Sequence, residues 1–104
     1  VNRVDGEGFS ALHRASACGA NERIIEILLS AGADVDLQAA DGLTAVYMAA
    51  SNGHTEVVRV LVEKGKANVR ICEVNGFPPL YVAAEKGRMN IVQKLLDGGA
   101  DINQ

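Results

Sequence analysis

The sequence predicts an all-α repeat solenoid, a stack of helix-turn-helix units joined by extended, β-hairpin-like loops. Three observations lead to this prediction. The segments GFSALHRASACG, GLTAVYMAASNG and GFPPLYVAAEKG align without gaps at a constant step of 34 residues. Each is followed by a second segment with helical apolar spacing, and a glycine ends both segments in every unit. Self-similarity at this kind of period is typical of stacked repeats.

The aligned segments each predict a short inner helix. Ser10 and Thr44 stand where a capping residue is needed, whereas Pro78 offers no side-chain oxygen there. We therefore expect a weaker start for the third inner helix, unless the rigidity of Pro78 and Pro79 compensates. Small residues are expected to face inward and to let neighbouring helices approach closely. These residues are Ala15 and Ser16, Ala49 and Ala50, and Ala83 and Ala84.

The second segments predict outer helices with one apolar face. Apolar residues recur at i, i+1, i+4 and i+5, namely Ile24, Ile25, Leu28 and Leu29, then Val57, Val58, Leu61 and Val62, then Ile91, Val92, Leu95 and Leu96. One helix pair leaves much of this face exposed, so neighbouring units must stack to cover it. The predicted domain spans residues 1–104 and comprises a tail of a preceding repeat at 1–4 and repeats at 5–37, 38–72 and 73–104.

These residues resemble the ankyrin repeat, whose pattern has a Thr-Pro-Leu-His turn, a pair of alanines and a closing Gly-Ala-Asp-Val-Asn. The turn is present as SALH at 10–13, TAVY at 44–47 and PPLY at 78–81, and the closing motif as GADVD at 32–36, GKANV at 65–69 and GADIN at 99–103. The resemblance covers essentially the whole chain and implies an ankyrin-type stack. Val1 and Asn2 resemble the end of another closing motif, so we expect both termini to be cuts inside a longer array.

Three departures from the ankyrin pattern predict local changes. The first unit has one extra residue between Gly19 and Ile24, which should lengthen its inter-helix turn. Lys66 is an extra residue after Gly65 and should reshape the loop that enters the third unit. Tyr47 and Tyr81 stand where the first unit has His13, so the hydrogen bonds of that imidazole must be remade by phenols or lost.

Composition argues against several classes of function. The net charge of −3 gives no broad attraction for nucleic acid or for an anionic membrane surface. The apolar runs are too short to span a bilayer. Cys18 and Cys72 are the only cysteines and form neither a disulfide framework nor a zinc site, which favours an intracellular location in the cytoplasm or the nucleus. We expect no metal and no cofactor.

The sequence also offers no catalytic group with a partner at suitable spacing. His13 and Cys18 are five positions apart on one helix, which does not bring their side chains together. His54 is interpreted as a turn or capping residue, and Asp34 and Asp36 as solvated loop carboxylates. The glycines occur at repeat distance and do not form a phosphate-binding loop. The chain is therefore not expected to be an enzyme.

The ankyrin resemblance implies that the concave side, made of loop tips and inner helices, binds a partner protein. Carried over position by position, the candidate contacts are Glu7, Phe9, Arg14, Ala17 and Cys18; Asp41, Leu43, Met48, Ser51 and Asn52; and Asn75, Phe77, Val82, Glu85 and Lys86. Phe9, Leu43 and Phe77 share one repeat position and predict a stepped apolar row. Alternatively, each of these side chains folds back onto its own loop.

Other interpretations remain open at this point. The chain could be a structural spacer, could self-associate through uncapped ends, or could be an engineered or reconstructed ankyrin binder. Residues 5–37 carry a net charge of −4 and residues 38–72 a net charge of +1. The acidic first unit could steer a basic partner, or the difference could be ordinary scatter on a solvated surface.

Overall fold

The computed structural model describes residues 2–100, which form six α-helices and no regular strand. The helices are α1 (Ala11–Cys18), α2 (Glu22–Ser30), α3 (Ala45–Asn52), α4 (Thr55–Glu63), α5 (Pro79–Glu85) and α6 (Met89–Asp97). Helices α1, α3 and α5 stack in one layer, which we call inner, and α2, α4 and α6 stack in an outer layer. The two helices of each unit also pack on each other. The predicted helical repeat stack is confirmed.

The starts of the inner helices differ as their sequences do. At α1 the Ser10 Oγ accepts the His13 backbone N–H at 3.3 Å, and the Ser10 N–H donates to His13 Nδ1 at 3.1 Å. This is a reciprocal capping box. At α3 the Thr44 Oγ1 accepts the Tyr47 N–H at 3.2 Å. Pro78 makes no such bond, so α5 begins without a side-chain cap, as the sequence predicted.

Small residues on the inner helices form the closest contacts of the stack. The fully buried members of the predicted set are Ser16, Ala49, Ala50 and Ala83. The prediction was wrong for the other two residues, because Ala15 is only half-buried and Ala84 is exposed. Their equivalents in the other units are buried by a neighbouring inner helix. No described inner helix lies before α1 or after α5 in the stack to cover Ala15 and Ala84.

The outer helices show the same dependence on neighbours. Ile24 was predicted to lie on the apolar face, but it is 48% exposed, whereas its equivalent Val57 is only 3% exposed. Ile27 is 61% exposed, while its equivalent Val60, which the predicted spacing omitted, is fully buried. Both valines are covered because α4 packs on α2, whereas no described outer helix lies before α2 to cover the isoleucines. One end of the stack therefore presents two isoleucines.

The two insertions have the expected local effects. Three residues, 19–21, separate α1 from α2, against two residues, 53–54, between α3 and α4; three residues, 86–88, also separate α5 from α6, because α5 is one residue shorter. In the loop after α4, Lys66 has a φ of 54°, where the other two units have Gly32 and Gly99 at 97° and 102°. A left-handed conformation costs a residue with a Cβ about 1 kcal/mol. The extra residue thus reshapes the loop by placing lysine where glycine is preferred.

A repeated hydrogen bond links the closing loops. The Asp36 Oδ1 accepts the Asn68 N–H at 2.8 Å, and the Asn2 Oδ1 accepts the Asp34 N–H at 2.6 Å. Asn2 therefore makes with the closing loop of the first unit the same kind of bond that Asp36 makes with that of the second. Val1 and positions 101–104, which include most of the third closing motif, lie outside the described residues.

The contrast between two neighbouring alanines tests the stacking. Ala83→Arg should lower the free energy of unfolding by about 3 kcal/mol or more, because a long cation would be buried unpaired between α3 and α5. Ala49→Arg should act in the same way. Ala84→Arg is the control, since Ala84 is exposed on the same helix. The measurement is a denaturant titration followed by far-UV circular dichroism. An unchanged midpoint for Ala83→Arg would contradict the packing described above.

A buried hydroxyl on α1 gives a second test. Ser16 is fully buried, and its Oγ has no hydrogen-bond partner among the described residues. Ser16→Ala should raise the free energy of unfolding by about 1 kcal/mol, because it removes an unsatisfied polar group. Ser10→Ala is the matched control and should lower it by about 1 kcal/mol, because the N-cap bond is lost. A destabilised Ser16→Ala variant would show that the Ser16 hydroxyl forms a hydrogen bond in solution.

Candidate functional site

The residues predicted to contact a partner lie mostly on one side of the molecule, formed by the loop tips and the exposed side of the inner helices. We call this side the inner face. Fourteen of the fifteen predicted residues are exposed or half-buried there. Val82 is the exception, since it is only 5% exposed and packs in the core. Its equivalents Arg14 and Met48 are long enough to reach the surface, whereas the short valine side chain is not.

Carboxylates hold the loop tips of the first and third units. The Asp5 Oδ1 accepts the N–H groups of Glu7 and Phe9 at 2.9 and 3.0 Å. The Glu73 Oε1 accepts those of Asn75 and Phe77 at 2.8 and 3.1 Å. The bond from the Phe9 N–H, followed by that from the Arg14 side chain, lowers the pKa of Asp5. These loops are therefore fixed in shape before any partner arrives.

The middle loop is held differently, because the equivalent position is Ala39. Asp41 takes a left-handed conformation with a φ of 63°. Its carbonyl accepts the Val74 N–H at 2.7 Å, which joins the second loop to the third. Gly42 faces the third loop so closely that a Cβ there would lie 3.0 Å from the Val74 nitrogen. The loop tips of units two and three thus form one continuous edge.

The two phenylalanines of the predicted apolar row each pack on a side chain of their own unit. The guanidinium of Arg14 lies 4.4 Å from the Phe9 ring centre, within reach of a cation–π contact. Phe77 is stacked on Tyr81 with ring centres 4.3 Å apart and remains 39% exposed. Both rings keep surface available on the inner face. The stepped row formed with Leu43 stays a prediction.

A shallow groove lies over α3 in the middle of the inner face. Its walls are formed by Leu43, Tyr47, Met48, Ser51 and Asn52. Four of these five were predicted from the sequence, and the structure brings them together. Tyr47 was not among the predicted contacts, because its position was assigned to the turn hydrogen bonds that His13 makes. Burial, and then the charges of Glu73 and Glu85, raise the pKa of Tyr47.

His13 has a structural role beside this groove. Its Nδ1 accepts the Ser10 N–H, so Nε2 carries the proton and lies 2.8 Å from the Leu37 carbonyl and 3.1 Å from that of Leu43. The imidazole therefore holds the loop that carries Leu43. Tyr47 makes no equivalent bond among the described residues, so the histidine contact is lost in the second unit. The predicted absence of a His13–Cys18 pair agrees with this geometry, since both ring nitrogens are engaged elsewhere.

The inner helices are also joined at their C-terminal ends. The Asn52 Nδ2 and the His54 Nε2 both donate to the Ala17 carbonyl, at 2.9 and 3.0 Å. Gly19 lies under the His54 ring, where a Cβ would come within 2.6 Å of its Nδ1. Farther along the stack, the Lys86 Nζ donates to the Ser51 Oγ at 3.3 Å. His54 is thus a turn residue that locks one unit to the next.

Within residues 2–100, no group of three His, Cys, Asp or Glu side chains is placed to hold a metal ion. No helix in this range is long and apolar enough to cross a membrane.

Comparison with known proteins agrees with this architecture. A family model described as "Ankyrin repeats (3 copies)" matches residues 12–104, which is most of the chain. A search of curated proteins found no match. The matched range includes α1 from its second residue onward, the other five helices and the groove over α3. On the basis of this match and of the stacked helix pairs, the chain belongs to the ankyrin-repeat family.

Proposed function

We propose that this chain binds a partner protein through its inner face, with the groove over α3 at the centre of the contact. Ankyrin repeats are generally protein–protein interaction modules and are typically scaffolds without enzymatic activity. The observation that carries the proposal is the convergence of Leu43, Tyr47 and Met48 with Ser51 and Asn52 around one surface depression. Apolar and aromatic side chains with a polar rim are the usual composition of an interface centre.

The fixed shape of the inner face supports this proposal. The loop tips are held by Asp5 and Glu73, and the loop before α3 by His13. A surface that is already ordered loses little conformational entropy when a partner binds. Met48 adds adaptability at the centre, because its unbranched side chain fits partner surfaces of different shapes.

A second function, self-association or a spacer role, is favoured by the ends of the described stack. Ile24 and Ile27 are exposed on one end, and Tyr81 and Met89 on the other, at 46% and 81%. Exposed apolar side chains of this kind are typical of contact surfaces. Such contacts would use the end faces and would leave the inner face free, so mutations of the inner face separate the two functions.

Met48→Arg should abolish capture of partner proteins while leaving the fold intact. An arginine is tolerated at this repeat position, since Arg14 occupies it in the first unit. The immobilised chain would be exposed to cell lysate, and retained proteins would be quantified by mass spectrometry. Asn90→Arg, on the exposed side of α6, is the control for added positive charge. Equal capture by both variants, at equal thermal midpoints, would contradict binding through the inner face.

Truncation of the two phenylalanines tests the predicted apolar row. If Phe9 and Phe77 contact the partner, replacing each with Ala should weaken binding by about 1 to 4 kcal/mol with little loss of stability. Affinity and thermal midpoint are measured on the same two variants. Intact binding together with a lowered midpoint would show that the rings only shield their own loops.

A further inference from the structure

The groove over α3 has a distinctive charge environment. At one end of the groove, Asp41 lies two residues before Leu43. At the other end, the Lys86 Nζ reaches Ser51, and Glu85 directly precedes Lys86. The backbone of Glu73 packs against Gly42, so a third carboxylate lies on the adjacent loop. The cation in these contacts is Lys86, and its Nζ donates to the neutral hydroxyl of Ser51. The surroundings of the groove therefore carry more negative than positive charge.

The carboxylates of α2 and α4 lie in ion pairs, whereas Asp34, Asp36 and Asp97 form none among the described residues. On the outer layer, Arg59 contacts Glu22, Glu56 and Glu63 at 2.8, 2.9 and 3.5 Å, and Lys64 contacts Glu26 at 2.6 Å. Every acidic residue of α2 and α4 thus has a cationic partner.

The first unit is compensated in the same way. Arg14 lies 2.7 Å from Asp5 and 3.3 Å from Glu7. Four of the six carboxylates in residues 5–37 therefore lie in ion pairs, which reduce the negative charge that the first unit presents to a partner.

The carboxylates beside the groove are different. Asp41 and Glu85 are exposed and form no ion pair within the described residues. Glu73 accepts N–H groups of its own loop but likewise has no cationic partner in that part of the chain. The negative charges that the fold leaves uncompensated on the inner face therefore lie around an apolar depression.

We propose that the groove over α3 receives an apolar side chain from a partner segment that carries lysine or arginine on both sides of it. The inference rests on the proposed function and specifies the chemistry of the partner. The apolar side chain would contact Leu43, Tyr47 and Met48, which are half-buried and keep accessible surface. The flanking cations would lie near Asp41 at one end and Glu85 at the other. Complementary charges of this kind set both the register and the rate of association.

The test begins with selection of short random peptides, displayed on phage, against the immobilised chain. Selected peptides should be enriched in an apolar residue flanked by lysine or arginine. A synthetic copy of the best peptide is then titrated by fluorescence anisotropy against the wild-type chain and four variants. Asp41→Asn and Glu85→Gln should each weaken its affinity by about threefold to tenfold, with a smaller difference at high salt. Asparagine tolerates the left-handed backbone of position 41, so this variant should fold.

Glu63→Gln is the matched control, because it removes a carboxylate that is paired on the outer layer, and it should leave the affinity unchanged. Met48→Arg should remove binding. If the selected peptides are neutral or acidic and Met48→Arg prevents their binding, this inference is wrong and the proposed function stands. If Met48→Arg does not change the binding of the selected peptides, both this inference and the proposed function are wrong. The inference of a basic partner segment would also be wrong if the selection enriched no sequence. It would likewise be wrong if the selected peptide matched a segment of this chain and the chain formed dimers.

Discussion

The close approach of the inner helices is the constraint on which the rest of the structure depends. It is possible because Ser16, Ala49, Ala50 and Ala83 place almost no side-chain volume between neighbouring helices. The same approach brings the His54 ring onto Gly19, close enough to exclude any Cβ there. A larger residue in the inner layer would therefore separate the inter-helix turns as well. Each unit behaves as a rigid pair of helices, so a local change in spacing affects both layers.

This close stacking also determines which side chains are exposed on the inner face. Long side chains on α3 cannot enter the contact between helices, so Tyr47 and Met48 are only half-buried and form the walls of a groove. The short Val82 in the equivalent position of α5 stays in the core. At the repeat position shared by Met48 and Val82, side-chain length therefore decides whether the residue reaches the surface. The hydrogen bonds of His13 and Glu73 hold the adjacent loops in place.

Charge is distributed differently on the two sides of the stack. On the outer layer, ion pairs such as Arg59 with Glu22 and Lys64 with Glu26 run from one unit to the next. Exposed pairs of this kind contribute little stability, about 1 kcal/mol or less each, but they reduce the negative charge of the outer surface. On the inner face, Asp41 and Glu85 have no such partner among the described residues. The carboxylates left without an ion pair on the inner face therefore lie outside the contacts that pack the helices together.

The sequence by itself determined the repeat step, the helix pairs and the capped starts of α1 and α3. These features depend on local spacing and on single residues such as Ser10, Thr44 and Pro78, so one unit contains enough information to predict them. Only the tertiary structure decided that Ile24 and Ala84 are exposed, that Val82 is buried and that Tyr47 joins the groove. The physical reason is that burial depends on the neighbouring unit and on how far a side chain extends, and neither is encoded in the periodic pattern.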